Sequence, residues 1–207
     1  MKIPHMLLVT ALAIGSGHAA VTIADFGGTA PVLDSGDVGN TISGGGEFGW
    51  NGSETFGQSF TLASAGTLDS IYFAYRGKGN NDTQVITVAV DGTAYSGIAL
   101  DGSSMKSDGS KTDYNWARID FTGENVSLDA GSHHFLLSIT QSPDNDWVIA
   151  PQYSGANPYG GGRSLGNILN APAEDLLFAV STSAVPEPSS AALLGLGGIA
   201  LVLRRRK

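Results

Sequence analysis

Val85-Ile86-Thr87-Val88-Ala89-Val90-Asp91-Gly92-Thr93-Ala94-Tyr95-Ser96-Gly97-Ile98-Ala99-Leu100 is the stretch that decides the fold. β-Branched and apolar residues alternate along its first half, so Ile86, Val88 and Val90 share one face of a strand and Val85, Thr87 and Ala89 the other. Asp91-Gly92 then supplies two residues that tolerate positive φ, the requirement of a two-residue hairpin turn, and Thr93–Leu100 returns as the partner strand.

The same texture runs outward in both directions. Val21–Phe26, Gln58–Leu62, Leu68–Tyr75, Trp116–Phe121, Val126–Leu128, His133–Thr140, Trp147–Tyr153 and Leu176–Thr182 all read as short strands. In Leu68–Tyr75 the alternation sets Leu68, Ser70, Tyr72 and Ala74 against Ile71, Phe73 and Tyr75. Phe135, Leu137 and Ile139 are expected to point inward. Between Gly27 and Gly166 lie 24 glycines, and no window holds an apolar period of 3.6 residues. Gly27–Gly57 and Gly155–Gly166 read as long loops. The expectation is an all-β antiparallel sandwich, jelly-roll-like, followed by a short C-terminal transmembrane helix.

The two ends are processing segments. Met1-Lys2, the apolar Met6–Ile14 and the small residues of Gly17-His18-Ala19 form a secretory signal peptide over residues 1–19, which leaves an exported domain over 20–184. The last 23 residues run Val185-Pro186-Glu187-Pro188-Ser189-Ser190, then the 13-residue apolar stretch Ala191–Leu203, then Arg204-Arg205-Arg206-Lys207. A helix over 191–203 covers roughly 20 Å at about 1.5 Å per residue, so it spans a bilayer only with thinning and with its terminal cations reaching the interface. The positive-inside rule keeps those four cations cytoplasmic and the domain outside. Pro186 and Pro188 hold the motif extended and accessible to an enzyme.

This tail, residues 185–207, resembles the PEP-CTERM sorting signal of Gram-negative bacteria. The resemblance implies export across the inner membrane and recognition of Val185, Pro186, Glu187 and Pro188 by an exosortase, a membrane-embedded cysteine protease-like transpeptidase. It also implies a place in the cell envelope or in an extracellular matrix associated with exopolysaccharide and biofilm. The partners are then the secretion machinery, exosortase and exopolysaccharide, with the C-terminal helix in the membrane before processing. Gly57-Gln58-Ser59-Phe60-Thr61-Leu62, Leu128-Asp129-Ala130-Gly131, Tyr159-Gly160-Gly161-Gly162 and Asp175–Val180 are similar to jelly-roll, carbohydrate-binding-module-like domains of exported anchored proteins.

Charge narrows the partners of the body. Of 11 Lys and Arg five lie in the terminal segments, and of 19 Asp and Glu one does, so 6 cations face 18 carboxylates and the net is about −12. Such a body repels nucleic acid and anionic lipid headgroups and leaves neutral glycans, cations and cationic surfaces as partners. With no cysteine, stability must come from the core or from bound cations.

Chemistry-bearing constellations are sparse. His133 and His134 are adjacent in a strand and are expected to point to opposite faces. No nucleophile-elbow pattern is present, and Glu47, Glu54, Glu124 and Glu174 are scattered, so no catalytic residue is assigned. Asp144 and Asp146, around Asn145, form an oxygen-rich turn suited to calcium, although Asx residues fill turns for local reasons as well. Trp50 and Tyr159 lie among glycines and are expected to be open for stacking on sugar rings. Three functions fit: a non-enzymatic envelope or matrix protein with a structural or adhesive role, a glycan-binding module, and a secreted polysaccharide hydrolase.

Overall fold

The computed structural model describes residues 20–41, 46–47, 55–77, 83–105, 114–141, 149–154, 159–166 and 174–184. Fourteen strands run through them. The first seven are β1 (Thr22–Gly27), β2 (Val38–Asn40), β3 (Gly46–Glu47), β4 (Thr55–Leu62), β5 (Gly66–Gly77), β6 (Thr83–Val90) and β7 (Thr93–Asp101). The others are β8 (Asn115–Asp120), β9 (Ser127–Leu128), β10 (Gly131–Gln141), β11 (Ile149–Ser154), β12 (Ser164–Gly166), β13 (Asp175–Leu176) and β14 (Phe178–Ala184).

Two antiparallel sheets pack face to face. The first has the order β1-β8-β5-β11-β13, with β14 between β5 and β2, β3 on β11 and β9 on β5. The second has the order β12-β4-β10-β6-β7. From β4 onward the chain passes repeatedly between sheets, the alternation a jelly-roll path requires. The hairpin forms as its sequence dictates: Val90 pairs with Thr93, and Asp91 and Gly92 hold φ of 48° and 82°, the paired positive values of a type I′ turn.

Inner faces interlock as alternation predicts. Phe56, Phe60, Leu62, Ile86, Val88, Val90, Phe135 and Leu137 of the second sheet meet Ile71, Phe73, Tyr75, Ala117, Ile119, Phe178 and Val180 of the first, all of them buried. Phe56 meets Phe73 edge to face at 5.3 Å. One face assignment changes. Leu68 lies in this core with Ile71, not with Ser70 and Tyr72, because the β5–β14 register jumps from Leu68↔Thr182 to Ser70↔Ser181. Asp69 is the extra residue of a bulge, and a bulge reverses the parity of everything beyond it.

Three strands arise where the sequence reads as loop: β2 and β3 within Gly27–Gly57, and β12 within Gly155–Gly166. Gly39 and Gly166 show why pattern missed them. A Cβ at Gly39 would lie 2.5 Å from the carbonyl oxygen of Phe178, and one at Gly166 would overlap that of Thr55. Glycine here lets strands approach closely instead of ending them.

The two ends of the sandwich differ. Tight connections, 63–65, 91–92 and 129–130, close the end at which Val21 enters and Ala184 leaves. The strand ends that flank residues 48–54, 78–82, 106–113 and 142–148 gather at the opposite end, as the pairings Ile149↔Gly77, Gln141↔Val85 and Thr83↔Asp101 require. Among the described residues no helix is long and apolar enough to cross a membrane, and the expected helix over 191–203 lies outside them.

Candidate functional site

The outer face of the first sheet carries an organised set of side chains. Tyr72 of β5 pairs across the ladder with Arg118 of β8, and Ser70 with Asp120. Side chains two apart on a strand share a face, so Ser70, Tyr72, Arg118 and Asp120 form one patch. The Arg118 guanidinium bonds the Asp120 carboxylate at 3.0 Å and donates from Nε to Ser70 Oγ at 2.9 Å. The Thr122 hydroxyl donates to Asp120 at 2.6 Å. That bond, with the Thr122 amide and Arg118, outweighs partial burial and holds the Asp120 carboxyl below its ordinary range.

Beside this fixed polar pair stands an aromatic step. Phe26, the penultimate residue of β1, is 46% exposed and meets Tyr72 edge to face with centroids 5.0 Å apart. Farther along the same face Trp116, Ala74 and Leu177 form a small buried cluster against which Tyr72, Tyr114 and Ala30 pack. The exposed ring is therefore held beside Tyr72, which that cluster supports.

A second feature lies on the other sheet. A shallow groove of about 380 Å³ is lined by Ser59, Ser132, His133, His134, Arg163 and Leu165. The two histidines do not diverge as their adjacency suggested. His133 Nδ1 lies 2.6 Å from Asp91 Oδ2 and His134 Nδ1 lies 3.2 Å from Asp91 Oδ1. The hairpin turn brings Asp91 to both, and the His134 backbone N–H also donates to its Oδ1 at 2.9 Å. His133 Nε2 reaches the Asp129 carbonyl at 2.8 Å, and its ring tilts over Phe60 at 5.7 Å.

Burial opposes charging of the His133 ring, yet the bonds to Asp91 and Asp129 outweigh it and raise its pKa above that of an ordinary imidazole. A folded pKa above the unfolded one means stabilisation that is complete below about pH 6.5 and is lost as pH rises through the folded value. The stability difference between wild type and His133→Gln, followed by urea melts from pH 5 to 9, should shrink with rising pH. A difference constant across that range would contradict it.

The sequence-derived sites fare unevenly. Trp50, Asp144, Asp146 and the tail residues Val185–Pro188 and Arg204–Lys207 lie outside the described residues. Tyr159 is described, and it is not an open ring. It is half-buried, packed edge-on to Phe178 at 5.2 Å, and its hydroxyl oxygen accepts the Thr61 N–H at 3.0 Å. The glycines after it admit the chain itself, since a Cβ at Gly161 would lie 2.6 Å from the Tyr159 hydroxyl and one at Gly162 would overlap the Ser59 carbonyl. Phe26 and Tyr72 do not stand out in the sequence as site candidates. Their signal was Tyr72 in the row opposite Ile71 and Phe73, an aromatic on the outward face. Among the described residues no three His, Asp or Glu side chains are grouped to hold a metal ion.

Residues 184–207 match the PEP-CTERM protein-sorting motif. The matched segment begins at the last residue of β14, so the motif follows the sandwich with no spacer and implies sorting outside the cytoplasm. Among solved structures, a family 35 carbohydrate binding module from an environmental isolate is similar at 15% identity, over 79% of this chain and 98% of that one, with a TM-score of 0.35. That likeness is too slight to bear on function. No curated protein matches the chain.

Proposed function

We propose that this is an exported, exosortase-sorted protein of the cell envelope or extracellular matrix whose sandwich binds glycan without catalysis. Its structural or adhesive role would follow from that binding. The sorting motif supports the address. The Phe26–Tyr72 step beside the Arg118–Asp120 pair supports the binding reading: an aromatic face stacks on the apolar face of a sugar, and a fixed guanidinium–carboxylate pair offers donors and acceptors to hydroxyls. A net charge of about −12 for the body favours a neutral polymer over an anionic one. In this reading the tail first inserts in the inner membrane, with Arg204–Lys207 on the cytoplasmic side, and is then processed.

Binding to neutral polysaccharide tests the proposal. Phe26→Ala and Tyr72→Ala should each weaken it by about 1–3 kcal/mol, by analogy with base stacking on aromatic rings. Phe26→Ala should leave stability within about 0.5 kcal/mol, as exposed substitutions do. Full binding by the double variant would remove this face from the site, and no binding of any glycan by wild type would leave a structural role without a glycan ligand.

Sorting has its own test. Glu187→Ala should leave export intact and abolish processing of the tail, since recognition reads Pro-Glu-Pro and not hydrophobicity. An unchanged mature mass in a strain lacking exosortase would overturn this reading.

A further inference from the structure

We infer that Val32 and Leu33 form a lipid-contacting prow, which rests on the interface of the membrane holding the unprocessed tail. This rests on the proposed membrane tether and adds to it a contact surface on the folded domain.

Residues 28–37 cross the outer face of the first sheet as a strap. A Cβ at Gly28, the strap's start, would lie 3.7 Å from Asn115 Oδ1, and Ala30 packs on the Ala74–Trp116–Leu177 cluster. The strap ends at the tethered end of the sandwich, where the Thr182 N–H of β14 donates to Asp37 Oδ1 at 3.0 Å. Its last turn is closed by the Asp34 N–H on Asp37 Oδ2 and the Asp37 N–H on the Asp34 carbonyl, both at 3.1 Å. Val32 and Leu33 sit just before this turn, 85% and 38% exposed, and with Phe26 they are the large apolar side chains the described surface leaves open.

The length of the tail supplies the occupant. Only residues 185–190 separate Ala184 from the apolar run at Ala191. At about 3.3–3.6 Å per extended residue the end of β14 cannot stand more than roughly 25 Å from the start of that run. Once the run is in the bilayer, the tethered end is the part of the sandwich nearest to lipid. Val32 and Leu33 lie on the strap that descends from the Ala30 contact to the Asp37–Thr182 bond, on the flank leading to this end. Two adjacent exposed apolar side chains there gain by entering the interface, whereas on a free domain they would only be exposed to water. The lipid is one without net charge. Asp37 lies two pairs from the tail, Asp69 accepts from Ser183 Oγ at 3.1 Å, and Asp34 and Asp129 stand at the same end, so anionic headgroups would push this surface away.

The chain has no cysteine, so one probe can be placed at will. Full-length Val32→Cys and Ser103→Cys, each carrying an environment-sensitive fluorophore, are reconstituted in phosphatidylcholine vesicles. Ser103 marks the far end, beside Asp101. The probe at 32 should shift to the blue and be quenched by aqueous iodide about fivefold less than the probe at 103. Adding one third phosphatidylglycerol at low salt should reduce that protection, and salt should restore it. Vesicle-bound protein with equal quenching at both positions would overturn the inference alone, as would protection that rises with phosphatidylglycerol. Protein that fails to float with the vesicles would overturn the tether, and this inference with it.

Discussion

Asp175→Ala is expected to destabilise the protein by roughly 3–5 kcal/mol, because each buried polar group left without a partner costs about 1–3 kcal/mol. Asp175 is fully buried at the seam between the sheets. Its Oδ1 accepts from Gln58 Nε2 at 2.6 Å and its Oδ2 from the Tyr159 N–H at 3.0 Å. Gln58, itself buried in the inward row of Phe56 and Phe60, accepts the Leu176 N–H on Oε1 at 3.0 Å, and Asn40 Nδ2 donates to the Leu176 carbonyl at 3.1 Å. One carboxylate thus ties β4 of the second sheet to β13 of the first and fixes the start of the segment carrying Tyr159. Removing it strands two donors that no apolar neighbour can satisfy. Asp175→Asn should recover only part of the loss, since one amide oxygen cannot serve both. For a chain of this size the alanine variant should melt about 10 °C lower. An unchanged melting temperature would mean that water reaches this seam.

Much of the framework was readable because burial on one face writes a period of two into the sequence. Val85–Val90 with Asp91-Gly92 showed its hairpin and the two rows of its first strand, while which row turns inward came from the packing. Three kinds of information were not readable. A bulge is a long-range event: nothing in Leu68-Asp69-Ser70 announces that β14 will pair around Asp69, so the alternation alone sets Leu68 with Ser70 and Tyr72. Glycine is ambiguous, since it serves both open turns and close backbone contact, and only the neighbour distinguishes them. Tyr159 followed that ambiguity from an expected sugar platform into the side of the core. His133 and His134 show a third limit, because strand parity alone predicts side chains that point apart while a turn aspartate from another hairpin gathers both. For the site, Tyr72 was legible as an outward aromatic, but its partner Phe26 came from the far side of β8, a neighbour that only the sheet order β1-β8-β5 reveals.

Gly162→Ala should cost about 3–5 kcal/mol while Gly160→Ala, two residues away, should change stability by less than about 0.5 kcal/mol. The two glycines look alike in Tyr159-Gly160-Gly161-Gly162, yet nothing lies within 4 Å of a Cβ at Gly160, whereas a Cβ at Gly162 would overlap the Ser59 carbonyl. That obstacle is backbone in the middle of β4, and no rotamer change relieves it. The segment must then lift off β4 and give up the bonds that stitch it there. These are Ser59 N–H to the Arg163 carbonyl at 2.9 Å, Arg163 N–H to Ser59 Oγ at 2.8 Å, and Thr61 Oγ1 to the Gly161 carbonyl at 2.7 Å. At about 0.5–1.5 kcal/mol net for each bond, plus the Thr61–Tyr159 contact, the sum reaches the stated range. Lifting also moves Arg163 and Leu165, one wall of the groove over β4 and β10, but leaves the Phe26–Tyr72 face on the opposite sheet in place. Glycan binding by folded Gly162→Ala at low temperature therefore discriminates between the two surfaces. Retained affinity locates the ligand on the first sheet, and lost affinity in a variant that is still folded would move the site to the groove.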